Sequence, residues 1–262
     1  MIKFTALGLA LAALAGQALA DCSRDTLLAA ADAYMAAQIT GSVSGSAFQK
    51  LLDPAVTYRQ NNKAADLATG LLSKPLKLDH NRTTLDTTQC ASYTELVSTA
   101  GPYVIGTQLR HASATDAASL ITSVDIIVAT TGDWAFNAAK TLQYITPEDW
   151  GTLAESDRSP RALLQAAADA YLDMWSNSTA INAVPWGTPC ARTEGSAHVT
   201  PSCKSGAPTT GTAAGKNTDR RYVIDETVGS CNVFCAFGGQ MPDSHEFRLI
   251  AGKLRLVHTI TV

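Results

Sequence analysis

The sequence predicts an α+β protein made of two similar halves, each a helix followed by antiparallel strands. Three observations predict it. A seven-residue phrase with helical spacing occurs twice: Ala29-Ala30-Ala31-Asp32-Ala33-Tyr34-Met35 returns as Ala166-Ala167-Ala168-Asp169-Ala170-Tyr171-Leu172. Later segments then match in the same order. Leu85-Asp86-Thr87-Thr88 pairs with Ile224-Asp225-Glu226-Thr227, and Gly106 to Arg110 with Ser244 to Arg248. The run around Asp125 (Leu120 to Val128) pairs with the run around His258 (Leu254 to Val262). A shared order of weak matches marks an internal repeat. Finally, Pro242 to Val262 alternates with period two on both sides of Ala251-Gly252, which is the pattern of a β-hairpin.

In chain order, residues 1–20 read as a secretory signal, with Lys3, an apolar run from Phe4 to Ala15, and Ala18-Leu19-Ala20 as the small-x-small cleavage pattern. No later run is long and apolar enough to cross a membrane, so the expected location is outside the cell. Six cysteines (Cys22, Cys90, Cys190, Cys203, Cys231, Cys235) suggest three disulfides. Cys231 and Cys235 would lie about 13 Å apart along one strand, too far to bond each other. Cys190 and Cys203 are then their expected partners, leaving Cys22 with Cys90. Asn81-Arg82-Thr83 and Asn177-Ser178-Thr179 are glycosylation acceptors.

The first half is expected over 21–146, opening with a helix from Ser23 to Gln38 whose Leu27, Leu28, Ala31, Tyr34 and Met35 share one side. Residues 147–160, rich in Glu, Asp, Ser and Gly between Pro147 and Pro160, read as a linker. The second half, 161–262, opens with a helix announced by Ser159-Pro160. It carries a low-complexity insertion, 193–219, with too few large apolar residues for a core of its own. That segment is a surface loop or a flap, tethered by Cys203.

The terminal hairpin carries the candidate chemistry. With Ala251-Gly252 as a two-residue loop, position 250 pairs with 253, His245 lies opposite His258, and Phe247 lies opposite Leu256. Asp243, His245, Phe247, Leu249, Leu254, Leu256, His258 and Ile260 then share one largely apolar face. A three-residue loop would instead set Glu246 opposite His258. Ionisable groups on such a face cost free energy unless they are paired, which makes them candidates for function. Charged residues are only 16% and the net charge is −3, so there is no basic footprint for nucleic acid. Metal-ligand spacing, a phosphate loop and a nucleophile elbow are all missing from the sequence, so the expected chemistry is cofactor-free. His111 and His198 fall in loop-like contexts.

Several phrases carry a family resemblance: Val184 to Arg192, Arg220-Arg221-Tyr222-Val223-Ile224-Asp225, Pro242 to Arg248, Val104-Ile105-Gly106-Thr107-Gln108 and Thr130-Thr131-Gly132-Asp133-Trp134. Together with the helix-then-sheet plan they resemble the cone-shaped fold of nuclear transport factor 2 and the SnoaL-like proteins, used in tandem as in a family of fungal secreted proteins. The resemblance implies two cone-like halves packed as a pseudo-dimer, each with a pocket on the inner face of its sheet. It also implies a range of functions, from isomerases, dehydratases, polyketide cyclases and epoxide hydrolases to noncatalytic binding modules.

On that basis Asp243, His245 and His258 are expected to line a pocket in the second half, with Tyr222 and Trp186 as binding residues. Thr107 and Asp125 stand at the matching positions of the first half, with Arg110 and Asp133 near by. An Asp-Arg-Asp set resembles the epoxide-hydrolase members, but those space Arg and Asp two apart, and Gln108 and Arg110 hold that spacing here. Asp125 paired with Arg110 as a structural ion pair is the competing reading. Arg192-Thr193-Glu194 and Arg220-Arg221 read as solvated surface, and Trp134, Trp175 and Trp186 as core. The expected function is a secreted, cofactor-independent acid–base enzyme, a hydrolase or isomerase acting on a small hydrophobic molecule such as a polyketide epoxide. The alternative is a secreted noncatalytic protein that binds a small ligand or acts at a host surface.

Overall fold

The computed structural model describes residues 22–112, 120–208 and 215–262. The expected signal segment, 1–20, lies outside the described residues. Helix α1 (Arg24–Thr40) begins at Ser23, whose Oγ accepts from the Thr26 amide, and ends at Gly41 in a left-handed conformation. A six-stranded sheet follows: β1 (Leu52–Gln60), β2 (Lys63–Ala64), β3 (His80–Asp86), β4 (Ala91–Ser98), β5 (Tyr103–His111) and β6 (Ile121–Thr130). After a short helix α2 (Ala138–Ile145), the plan repeats. Helix α3 (Arg161–Asp173) precedes β7 (Trp186–Glu194), β8 (Ala197–Val199), β9 (Thr218–Asp225), β10 (Ser230–Phe237), β11 (Met241–Ile250) and β12 (Lys253–Thr261).

The two sheets have the same strand order, β2-β1-β6-β5-β4-β3 and β8-β7-β12-β11-β10-β9. The molecule is therefore α+β, two halves each with a helix and a curved sheet. Neither sheet is wholly antiparallel: β1 runs parallel to β6, and β7 to β12. Pro160 is the residue before α3 rather than its first residue.

Each sheet has two covered faces. The inner face packs against its own helix, around Tyr34, Phe48, Leu72 and Leu96 in the first half and Tyr171, Val233, Phe247 and Val257 in the second. The outer faces meet each other at a seam, where Ala91, Tyr93, Val97 and Ile127 pack with Val223, Phe234 and Ile260. Strands buried on both sides explain why so many polar residues of β4, β10 and β11 are covered. A pair of ion pairs crosses the seam with two-fold correspondence. Arg24 of α1 reaches Asp225 at 2.7 Å, and Arg161 of α3 reaches Asp86 at 2.7 Å. Each carboxylate also accepts a backbone amide from the other half, Asp225 from Leu85 and Asp86 from Ile224.

The terminal hairpin corrects the expected register. Ile250 does pair with Lys253 across Ala251-Gly252, but Arg255 is an extra residue: Leu249 faces Leu254 while Arg248 faces Leu256. Beyond this β-bulge every pairing slips by one, so Glu246 faces His258 and His245 faces Thr259. The alternative pairing thus arises from a bulge and not from a longer loop. The first half has the same device at Thr122, between the pairs Arg110–Ser123 and His111–Ile121. The consequence is that His245 and His258 stand on opposite faces of the sheet.

The disulfides are Cys22–Cys90 and Cys190–Cys203. Cys231 and Cys235 are buried free thiols, which corrects the expectation that they bond to Cys190 and Cys203. Both are buried in the core of the second half, on a strand that β11 and β12 separate from β7 in the sheet. Within the expected insertion, β8 pairs with β7 and Cys203 is tied to Cys190, so part of this segment is ordered against the sheet. Asn81 and Asn177 of the two acceptor triplets are exposed.

Candidate functional site

The inner face of the second half opens into a cavity of about 200 Å³. His245 lies on its wall with Thr259 and Glu194, and Trp175, Phe237 and Met241 supply apolar surface. The strand alternation that puts Asp243, His245, Phe247 and Leu249 inward also puts Thr259 and Thr261 inward from β12. Asp243 is fully buried, and its Oδ2 lies 2.5 Å from Nδ1 of His245. Its Oδ1 accepts from the Thr261 hydroxyl at 2.6 Å, and the Cys235 thiol donates to Oδ2 at 3.5 Å. The imidazole is held flat between rings, near-parallel to Phe237 and Phe247 at centroid distances of 6.1 and 5.8 Å, with Tyr171 tilted at 5.6 Å. With Nδ1 committed to Asp243, Nε2 is the ring atom available to the cavity.

A second carboxylate reaches the same cavity. Glu194 accepts from the Tyr171 hydroxyl at 2.8 Å and lies 3.5 Å from Arg192. Burial, and then the neighbouring Glu194 charge, hold the Tyr171 pKa well above its ordinary value, so the hydroxyl stays protonated as a donor. The Thr259 hydroxyl is buried without a hydrogen-bond partner among the described residues. Trp134 reaches this cavity from the first half. It follows β6, and the Ser196 amide donates to the Ala135 carbonyl beside it. The site thus offers an oriented imidazole, a carboxylate, a hydroxyl and an apolar wall.

Of the eight residues that sequence points to, His245 and Asp243 are the two that the fold brings together here. His258 is instead buried in the seam, where Nδ1 lies 3.0 Å from both oxygens of Glu95 and Nε2 lies 2.6 Å from Glu148. Burial alone would lower its pKa, but the two carboxylates outweigh it and raise the pKa to about 10. With both nitrogens donating, the ring has no lone pair for base catalysis. Asp125 is also in the seam, bonded to Arg221 at 2.8 Å, so its ion pair is with Arg221 and not Arg110. Burial raises the Asp125 pKa against the opposing Arg221 charge.

The other four are scattered. Arg110 donates to the Gln108 side chain and the Tyr222 carbonyl. The Tyr222 hydroxyl donates to Asp169. Trp186 donates its indole N–H to the Ile181 carbonyl and packs beside Tyr171. Thr107, which matches His245, is buried against the Tyr34 hydroxyl at 2.6 Å. With Ile105 at the position of Asp243, the first half lacks the dyad. Asp133 accepts from the Thr130 amide as a turn cap. His198 lies in β8, bonded to Thr193 and stacked on Tyr144, not alone in a loop.

Sequence reasoning missed Glu194, set aside with Arg192 as surface, and missed the seam network. There Arg82 bonds Glu246 and Glu95 at 2.6 and 2.7 Å and lies 3.7 Å from the Trp150 ring. Ligand-type atoms of Glu95, Glu246 and His258 lie within 4.8 Å of one another. The Arg82 guanidinium already supplies the cation between these carboxylates, so a metal ion would have to displace it.

Residues 157–261 match a sequence family described as a domain of unknown function (DUF8021). No curated protein matches the chain. Among solved structures, the chain is similar to an NTF2-like protein from Bacteroides fragilis. That likeness has 9% identity and a TM-score of 0.20, and it covers 86% of this chain and 94% of the other.

Proposed function

We propose that the second half performs cofactor-independent acid–base chemistry on a small, largely apolar molecule, as a hydrolase or isomerase. The observation that carries this is the buried Asp243–His245 pair with its free Nε2 on a cavity wall. A carboxylate on Nδ1 fixes the tautomer and stabilises the imidazolium formed when Nε2 takes a proton. The proton comes from a carbon next to a carbonyl in isomerisation, or from water attacking an epoxide in hydrolysis. The imidazolium then returns it to the product, to carbon in isomerisation or to the opened epoxide oxygen in hydrolysis, with the Thr259 hydroxyl as a hydrogen-bond donor on the same wall. A cavity of ~150 Å³ holds a benzene ring, so about 200 Å³ suits a molecule of one or two small rings. Two disulfides fit an oxidising compartment outside the cytosol.

The test is turnover of a panel of small cyclic enones and epoxides, with binding followed by tryptophan fluorescence. His245→Gln should lower turnover ~10²- to 10⁴-fold, the range for a lost general base, while binding changes only a few-fold. Wild-type turnover in both His245→Gln and Asp243→Asn would remove the dyad from the chemistry. A noncatalytic ligand carrier is the second reading, favoured by the exposed apolar rim in which Trp134 is 55% and Met241 is 42% accessible. It predicts tight binding and no turnover in any variant.

A further inference from the structure

A second concave site lies at the edge of the seam, away from the cavity. It is an open groove of about 380 Å³ walled by Arg110, Arg161, Arg220, Arg221, Gln165 and Tyr222. Three of the four guanidiniums are already neutralised. Arg161 is paired with Asp86, Arg220 with Asp169 and Asp173, and Arg221 with Asp125 and Asp219. Arg110 is the one left over. Its Nη2 donates to the Gln108 side chain and the Tyr222 carbonyl. Among the described residues no carboxylate accepts from it, and its Nε and Nη1 have no acceptor. Burial, and the nearby Arg221 and Arg161 charges, hold the Arg110 pKa below its ordinary value, against the pull of Asp86 and Asp125. An anion in the groove would relieve that.

The internal repeat shows what such a groove accepts. Arg110 corresponds to Arg248, Arg221 to Arg82, and Arg161 to Arg24. The Arg248 copy is filled by the chain between the halves. The Gly151 carbonyl accepts from Nη2 of Arg248 at 2.8 Å, and the Trp150 indole lies 3.7 Å from Arg82 and 5.5 Å from Arg248. The occupant is an aromatic ring with an adjoining carbonyl oxygen, held by cation–π contact and a charge-assisted hydrogen bond. The Arg110 groove has no such occupant among the described residues.

We propose that the Arg110 groove binds a small aromatic carboxylate, with the carboxylate on Arg110 and the ring against the neighbouring guanidinium faces. The ligand would take the place that Trp150 and Gly151 take in the other half. This site does not depend on the His245 dyad.

Calorimetric titration of the full chain with indole-3-acetate tests it, with the neutral indole-3-acetamide and inorganic phosphate as comparators. Saturable binding that weakens as salt is added is expected, at least tenfold weaker for the amide. Phosphate binding as tightly as indole-3-acetate would overturn the aromatic part of the proposal. Arg110→Gln should weaken indole-3-acetate at least tenfold, while Asp243→Asn leaves it unchanged. If Arg110→Gln fails to fold, Gln165→Glu serves instead. Gln165 is exposed on α3, so the change spares the core, and its carboxylate should repel the ligand by tenfold or more. Saturation not reached at millimolar concentration, or unaltered affinity in Gln165→Glu, would overturn the site.

Discussion

His245 and His258 are neighbours on adjacent strands with opposite fates, decided by which way each side chain faces. His245 has one nitrogen on a carboxylate and one on a cavity; His258 has a carboxylate on each. The second arrangement makes His258 a stabilising cation with a definite pH signature. Its folded pKa, about 10, lies above the unfolded value of 6.5. Its contribution is therefore complete below about pH 6.5, declines from there to pH 10, and is gone above. Urea midpoints taken from pH 6 to 10 should fall for the wild type and fall less for His258→Gln; equal slopes would refute this role. Removing the other cation is expected to be severe. Arg82→Leu leaves Glu246 buried with the Ser230 hydroxyl but no cation, and Glu95 with His258, at a cost of ~3–5 kcal/mol in urea unfolding. The histidines were visible in the sequence as ionisable groups in apolar strands. Their different roles were not, because a single extra residue at Arg255 turns one of them over.

At the scale of elements, the two closed loops differ in what they hold. Cys22–Cys90 joins the start of α1 to the β3–β4 turn across 68 positions, and Cys190–Cys203 closes a loop of 13. On the loop-entropy estimate, removing them costs about 4 and about 3 kcal/mol. Unfolding of the Cys22→Ala/Cys90→Ala and Cys190→Ala/Cys203→Ala pairs would measure both. Cys231 and Cys235 should behave otherwise. Burial pushes both thiols up, with nearby carboxylates adding to it, so a disulfide reagent should find no reactive thiol in the folded protein and two in urea. Rapid labelling of the folded chain would contradict that burial. The β-turn before β10 needs glycine. Gly229 has φ +71°, and a Cβ there would run into the Leu249 carbonyl. Helices and hairpin were legible in the phrases around Tyr34 and Tyr171 and in the alternation around Ala251-Gly252. The thiol pairing was not, since it depends on the strand order, which sets β11 and β12 between β10 and β7.

The whole molecule is expected to fold as one unit, because the outer face of each sheet is covered by the other. Val223, Phe234 and Ile260 lie on the second half's outer face, and Tyr93 and Ile127 cover them. The Arg24–Asp225 and Arg161–Asp86 pairs complete the join. Residues 157–262 expressed alone should therefore expose an apolar sheet face and bind a hydrophobic dye or self-associate. A soluble, cooperatively unfolding monomer of that fragment would show that the seam is dispensable. The halves also share the site: Trp134 of the first reaches the cavity of the second, while the matching interior of the first is filled around Thr107.

The repeated helix phrase, the matched segment order and the period-two hairpin were enough to predict two α+β halves, because periodicity and repetition are local properties of a chain. The Asp243-x-His245 spacing likewise placed both side chains on one face of one strand. What needed the folded molecule was everything that depends on a third element. A bulge moved His258 to the seam, Arg221 took Asp125 away from Arg110, and Glu194 came to the cavity from β7. Such pairings join residues tens to more than a hundred positions apart. Their partners are chosen by sheet order and by which faces pack together, and no pattern within a single segment encodes that choice.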